Sequence, residues 1–116
     1  MKLDVFHKAY EASLEIHRVS KRLPKDEQYE LAQQLRRSSK SICANLVEGL
    51  GKRESVKESL RYLRVAIGSK EETKLWLQYC VDLGYFDQAQ YERLRETYEE
   101  IGRMLEGLRK HLEGQI

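Results

Sequence analysis

Lysine and arginine side chains are concentrated in one part of this chain, between residues 36 and 64. That segment carries eight cations against three carboxylates, whereas residues 1–35 have no net charge and residues 65–116 have a net charge of −3. Such cations can neutralise phosphates, although a solvated charged surface is the commoner reason for this density. We predict a polyanion-binding surface made of Arg36, Arg37, Lys40, Lys52, Arg53, Lys57, Arg61 and Arg64.

Residues 26–50 are predicted to form a helix. On this helix a stripe of small and polar residues lies beside the apolar stripe. At about 100° per residue, the two stripes share one helix but face different directions. Small residues let another backbone approach closely, and serine and asparagine can hydrogen-bond across the contact. The stripe is either a solvent-exposed flank or a contact with another helix or subunit, and we favour the contact. Its members are Ser38, Ser41, Asn45 and Glu48.

The next predicted helix, residues 55–83, is apolar on more than one side, which indicates that it touches more than one neighbour. In a monomer one of these faces, which includes Trp76, would be exposed to solvent. An exposed apolar patch of this kind usually marks association with another protein chain. We therefore predict a homo-oligomer. Glu72 falls between Val65 and Trp76 on this face, so we expect a cationic or hydrogen-bonding partner for its carboxylate.

Residues that could support catalysis or metal binding are sparse. Cys43 and Cys80 have no CxxC spacing and no histidine close in sequence, so buried, reduced thiols are favoured over nucleophiles. A di-iron bundle needs two Glu-x-x-His motifs. The chain has none, and its nearest equivalent is one Asp-x-x-His segment from Asp4 to His7. We expect no enzyme activity, no catalytic residue, no metal and no cofactor.

Four segments with helical periodicity must position these side chains. They cover residues 4–23, 26–50, 55–83 and 87–113, with Pro24, Gly51 and Gly84 between them and capping residues at Ser55 and Asp87. No alternating strand pattern competes. Short connections between long helices force antiparallel neighbours, so we predict one all-α domain over 1–116, an antiparallel up-down-up-down four-helix bundle.

Hydropathy excludes two further classes. No stretch approaches the roughly 20 apolar residues of a membrane span. Charges throughout the first 18 residues argue against a signal peptide. We expect a cytoplasmic protein without membrane contact.

The segment "QLRRSSKSICANLVEG", together with "AIGSKEE", "DLGYF" and "LPKDEQYEL", resembles the 23S rRNA-intervening sequence protein family. The first string is similar to the family pattern Gln-Leu-Arg-Arg-Ala-x-x-Ser-Ile-x-x-Asn-Ile-Ala-Glu-Gly. The motif polar residues carried over by position are Arg37, Asn45, Glu48, Gly68, Ser69 and Glu72. The chain departs from the family at Ser38 and Ser39, where alanine is favoured, and at Lys70 and Lys74.

The resemblance implies an antiparallel four-helix bundle that assembles as a homopentamer. It also implies kinship with the accessory variability determinant of diversity-generating retroelements, which binds nucleic acid and a reverse transcriptase. For Glu48 and Glu72 we favour structural pairing with Arg36 or Arg37 over a ligand site.

These observations predict a non-enzymatic oligomeric bundle that binds RNA or DNA phosphates through its basic surface. The alternative is a protein–protein adaptor or scaffold that docks a partner such as a reverse transcriptase without binding nucleic acid. A structural oligomer with neither role comes third.

Overall fold

The computed structural model describes residues 3–116, which form four α-helices. Helix α1 spans Leu3–Ser20, α2 spans Leu31–Gly51, α3 spans Val56–Asp82 and α4 spans Gln88–Glu113. A 3₁₀ turn, Lys25–Glu27, lies between α1 and α2. The all-α prediction is confirmed, and the described part of the chain contains no strand.

Side-chain caps begin the last two helices as the sequence predicts. Ser55 Oγ accepts a hydrogen bond from the Glu58 amide at 3.3 Å, and Asp87 Oδ1 accepts one from the Gln90 amide at 2.8 Å. Each satisfies an amide that the first helical turn leaves without an intrahelical partner. Gly84 follows α3 with φ of +82°, a left-handed conformation that only glycine adopts without strain.

Where two neighbouring helices touch, residue numbers rise along one helix and fall along the other. These helices therefore run antiparallel. Between α2 and α3, Ser38 meets Thr73 near one end and Gly49 meets Ser59 near the other. The four helices contact each other as the adjacent pairs α1–α2, α2–α3, α3–α4 and α4–α1. The same reversal is shown by Ser13–Cys43 and Ser20–Arg36 for α1–α2, Arg64–Glu113 and Gln78–Tyr91 for α3–α4, and Lys8–Glu100 and Glu15–Arg93 for α1–α4.

The apolar residues that recur at helical spacing form the core. In α1 the row that steps by four and three residues from Val5 to Val19 is buried, and so is Leu23 just beyond the helix. In α4 the corresponding row is buried from Tyr91 to Leu105 and half-buried at the end of the helix. The bundle measures 46 × 24 × 18 Å, so burial is spread along its length. Removing these side chains from water is the main stabilising contribution to the fold.

Two predicted helix boundaries are wrong. The first helix ends at Ser20 rather than residue 23, and the second begins at Leu31 rather than residue 26, so the connection is ten residues long. Pro24 holds an extended conformation with φ −54° and ψ 154°. Gln28 Nε2 then donates to the carbonyls of Ser20 and Leu23, both at 3.0 Å, which satisfies acceptors at the end of α1.

Lys70 is buried, although it carries a charge. Its side chain lies against Gly102 of α4, where a Cβ atom would come within 2.9 Å of the Lys70 Cε. The ammonium group pairs with Glu71, and this hydrogen bond lowers the pKa of the Glu71 carboxyl. The apolar stem thus packs between α3 and α4 while the charge reaches a carboxylate.

Candidate nucleic-acid interface

The turn between α2 and α3 exposes three of the predicted binding cations. Lys52, Arg53 and Lys57 are all exposed, and within residues 3–116 none has a carboxylate oxygen within 4.0 Å. Gly51 is the last residue of α2 and Ser55 caps the start of α3, so Lys52 and Arg53 lie in a short turn and Lys57 lies in the first turn of α3. This end of the bundle can offer positive charge to an anion without first breaking an ion pair.

Two neighbouring arginines are less available. Arg61 Nη2 pairs with Glu58 Oε1 at 3.1 Å, and its guanidinium carbon lies 4.4 Å from the centre of the Tyr62 ring. Arg64 Nη2 lies 3.3 Å from Glu113 Oε2 on α4. Exposed ion pairs contribute little energy, so both can rearrange, but neither is a free cation in this structure.

Arg36 lies far from these residues, which corrects the prediction of one continuous surface. Arg36 donates to Ser20 Oγ at 2.9 Å and to the Gln28 carbonyl at 3.0 Å, beside the end of α1. Because α2 is one continuous helix, the 16 residues from Arg36 to Lys52 span about 24 Å. The eight predicted cations therefore form two groups.

The group around Arg36 contains α1 residues that the sequence prediction missed. Burial lowers the pKa of His17, and the positive charges of Lys40, Lys21 and Arg36 lower it further. Two cations of α2 and one in the turn after α1 thus act on the same imidazole. A signal was present in the sequence, since Tyr10, Leu14, His17 and Lys21 recur at the spacing of one helix face.

Helix α4 shows the opposite electrostatic arrangement. Arg93 pairs with Glu15 of α1, Arg95 pairs with Glu92 and Glu99, and Arg109 pairs with Glu106 and Glu113. Hydrogen bonds from these arginines lower the pKa of the Glu92 and Glu113 carboxyls. Much of the positive charge on α4 is therefore already neutralised, whereas most of that on α2 and the following turn is not.

The small-residue stripe of α2 packs against α3 of the same chain. Ser38 Oγ lies 2.8 Å from Thr73 Oγ1, and Ser41 Oγ lies 2.8 Å from Ser69 Oγ. Asn45 Nδ2 donates to the Ser41 carbonyl at 2.8 Å. Two members of the predicted stripe, Ser38 and Ser41, therefore contact α3, where Thr73 and Ser69 are their partners. These residues position the two helices and are not available to a ligand.

Other motif residues are exposed and unpaired. A Cβ atom added to Gly68 would meet nothing within 4 Å, and Glu48 and Glu72 are both exposed. Within residues 3–116 neither glutamate forms an ion pair, so the predicted pairing with Arg36 or Arg37 is wrong for a single chain. The reason is geometric, because Arg36 turns toward the end of α1 and not toward α3.

Trp76 is half-buried at the edge of an exposed apolar surface. Its ring centre lies 5.8 Å from that of Tyr79, and its indole N–H is buried with no hydrogen-bond acceptor in the described part of the chain. Tyr79 and Leu83 are 49% and 54% exposed, and Tyr29 lies across the same cleft. We call Tyr29, Trp76, Tyr79 and Leu83 the α3 apolar surface.

The two cysteine thiols and the residues that could ligate a metal are the remaining candidates for chemistry. Burial raises the pKa of the Cys80 thiol to about 12, and it also raises that of the half-buried Cys43. No group of three or more potential metal ligands occurs among residues 3–116. None of the four described helices is long and apolar enough to cross a membrane.

Comparison with known proteins agrees with the architecture. The family model described as "23S rRNA-intervening sequence protein" matches residues 1–107. A solved chain from Bacteroides thetaiotaomicron, described as a protein with unknown function from the S23 ribosomal protein family, is 27% identical with a TM-score of 0.83. The similarity covers 91% of this chain and 95% of that one. No functionally curated protein matches. The chain belongs to the 23S rRNA-intervening sequence protein family.

Proposed function

We propose that this protein is a non-enzymatic, cytoplasmic bundle that binds RNA or DNA through phosphate contacts. The observation that carries the proposal is the set of unpaired cations on α2, in the turn after it and at the start of α3. Of the eight predicted contacts, six have no carboxylate within 4.0 Å among residues 3–116: Arg36, Arg37, Lys40, Lys52, Arg53 and Lys57. Phosphate contacts of this kind supply affinity without reading bases.

Assembly is the second part of the proposal. The α3 apolar surface supports a homo-oligomer, because exposed aromatic and aliphatic side chains of this kind usually mark association. The family resemblance favours a pentamer. In a ring, each subunit would repeat the same unpaired cations, so several weak phosphate contacts would act together.

A salt titration tests the binding. Fluorescein-labelled RNA and DNA are titrated with protein at several salt concentrations, and the logarithm of affinity should fall linearly with the logarithm of salt concentration. The double variant Lys52→Gln/Lys57→Gln should weaken binding and flatten this slope. Arg22→Gln/Arg103→Gln is the matched control, because both arginines are exposed, are unpaired among the described residues and lie outside α2 and the turn after it.

Failure to bind either nucleic acid at low ionic strength would refute the proposed function. Equal losses in the two double variants would also contradict it, since net charge alone would then explain the binding.

An adaptor that docks a protein such as a reverse transcriptase is the second candidate. The α3 apolar surface favours it, because protein interfaces are enriched in tyrosine and tryptophan. Light scattering on Tyr79→Glu separates the two uses of this surface. A smaller particle indicates self-assembly, and an unchanged particle leaves the surface to another protein. Tyr10→Glu is the matched control, since Tyr10 is 46% exposed on α1.

A further inference from the structure

One face of the bundle combines exposed aromatic rings with the cations around His17. Tyr10, Leu14 and His17 of α1, with Lys21 just after its last residue, follow each other at four- and three-residue steps, so they form a single row. The facing row on α2 runs in the opposite direction and consists of Val47, Ala44, Lys40 and Arg36. We call these two rows the α1–α2 face.

The end of this face that contains Arg36 is positively charged and is not neutralised. The hydrogen bonds of Arg36 go to neutral acceptors only, Ser20 Oγ and the side-chain and main-chain oxygens of Gln28. Within residues 3–116, neither Lys21 nor Lys40 has a carboxylate within 4.0 Å. Burial lowers the pKa of His17, and the positive charges of Lys40, Lys21 and Arg36 lower it further. An anion placed here would meet two cations of α2 and the one that follows α1.

The other end of the face is apolar and aromatic. The rings of Phe6 and Tyr10 stack with centres 5.9 Å apart and planes 12° from parallel. Tyr10 is 46% exposed, Leu14 36% and Val47 53%. The Tyr10 ring is therefore held by a neighbour and still presents surface to solvent. Nucleobases stack on exposed aromatic rings of this kind, whatever their sequence.

The spacing of the two ends fits a short strand. From Tyr10 to the end of α1 the helix rises about 15 Å, and Lys21 follows directly. At about 3.4 Å per nucleotide of a stacked strand, this distance corresponds to about five nucleotides. A duplex keeps its bases paired inside, so it could use the cations but could not place a base on Tyr10.

We propose that the α1–α2 face binds single-stranded nucleic acid, with phosphates at Lys21, Arg36 and Lys40 and a base stacked on Tyr10. This proposal rests on the proposed function, because it names the form of nucleic acid and a binding face that includes two of its cations. It adds Tyr10 and Lys21, which lie outside the basic segment.

The test compares a short labelled single strand with the same sequence as a duplex, by fluorescence anisotropy. Tyr10→Ala should weaken single-strand binding by about 5-fold or more, the loss of one stacked base, and leave the salt dependence unchanged. Lys21→Gln/Lys40→Gln should instead reduce the slope of log affinity against log salt by about 0.7 for each cation removed. Tyr10→Phe, which keeps the stacking ring and should bind like the unaltered protein, and Arg22→Gln/Arg103→Gln are the controls.

Circular dichroism checks that each variant folds, which the exposure of these side chains leads us to expect. Binding that is unaffected by both α1–α2 variants would overturn this inference and leave the proposed function standing. Tighter binding of the duplex, with Tyr10→Ala silent, would overturn it too. Absence of any nucleic-acid binding by the unaltered protein at low salt would refute both proposals together.

Discussion

The buried hydrogen bond between Ser38 and Thr73 should show a measurable coupling energy. The two hydroxyl oxygens lie 2.8 Å apart, and both residues are buried. Thr73 Oγ1 also lies 2.9 Å from the Ser69 carbonyl. A threonine hydroxyl has one proton, so Thr73 donates to Ser69 and accepts from Ser38. The other contact of the Ser38 hydroxyl, to the Leu35 carbonyl, is long at 3.5 Å.

The single and double variants differ in how many polar groups they leave unsatisfied. Thr73→Val keeps the side-chain shape but leaves the Ser38 hydroxyl buried without a good acceptor, so we expect a loss of about 2 kcal/mol. Ser38→Ala removes one neutral hydrogen bond while Thr73 still donates to Ser69, so we expect a loss of about 1 kcal/mol. In the double variant no serine hydroxyl is stranded. Its loss should be about 2 kcal/mol, which is a coupling energy of about 1 kcal/mol.

Urea unfolding followed by circular dichroism measures these free energies, at one fixed protein concentration because assembly would shift stability. Ser59→Ala supplies the control. Its hydroxyl donates to the Gly49 carbonyl at 2.9 Å at the opposite end of α2, so its effect should add to that of Ser38→Ala within about 0.5 kcal/mol. Additive losses for Ser38→Ala and Thr73→Val would refute the hydrogen bond as a source of stability.

The remaining predictions concern three single residues. Lys40→Gln should raise the pKa of His17 toward its ordinary value, because one of the positive charges that lower it is removed. NMR titration measures this pKa, and an unchanged value would show that Lys40 does not act on His17. The pKa of His17 is lower in the folded than in the unfolded chain, so the unfolded chain binds the proton more readily. The contribution of His17 to stability should therefore decline as the pH falls below about 6.5. Urea unfolding of the protein and of His17→Gln at several pH values measures this decline. Cys80, whose pKa is raised to about 12, should resist iodoacetamide at neutral pH until urea unfolds the protein, and rapid labelling of the native protein would contradict its burial. Gly84→Ala should lower the free energy of unfolding by about 1 kcal/mol, because φ of +82° is strained for any residue with a Cβ atom, and an unchanged urea midpoint would count against that conformation.

The sequence was most informative where its signals were local. The four helical segments, the caps at Ser55 and Asp87 and the stop at Gly84 were all predicted, because helical periodicity and capping depend on residues within a few turns. The start of α2 was missed. The reason is that Gln28 folds back onto the end of α1, a contact that no periodic pattern encodes.

The candidate site was predicted only in part. Residue counting found the basic segment but treated Arg36 and Lys52 as members of one surface, although about 24 Å of continuous helix separates them. It also omitted Tyr10 and Lys21, because residues 1–35 have no net charge. The role proposed for these two residues depends on the packing of α1 beside α2, which the sequence does not show.

The sequence by itself determined four amphipathic helices, a bundle and the family, since each depends on spacing along one chain segment. The tertiary structure alone decided which side chains meet. Core packing fixes the rotation and antiparallel register of each helix, and that rotation joins Ser38 to Thr73, turns Arg36 toward α1 and leaves Glu72 in solvent. A rotation of one helix by a single residue would move these side chains by about 100° and exchange their neighbours.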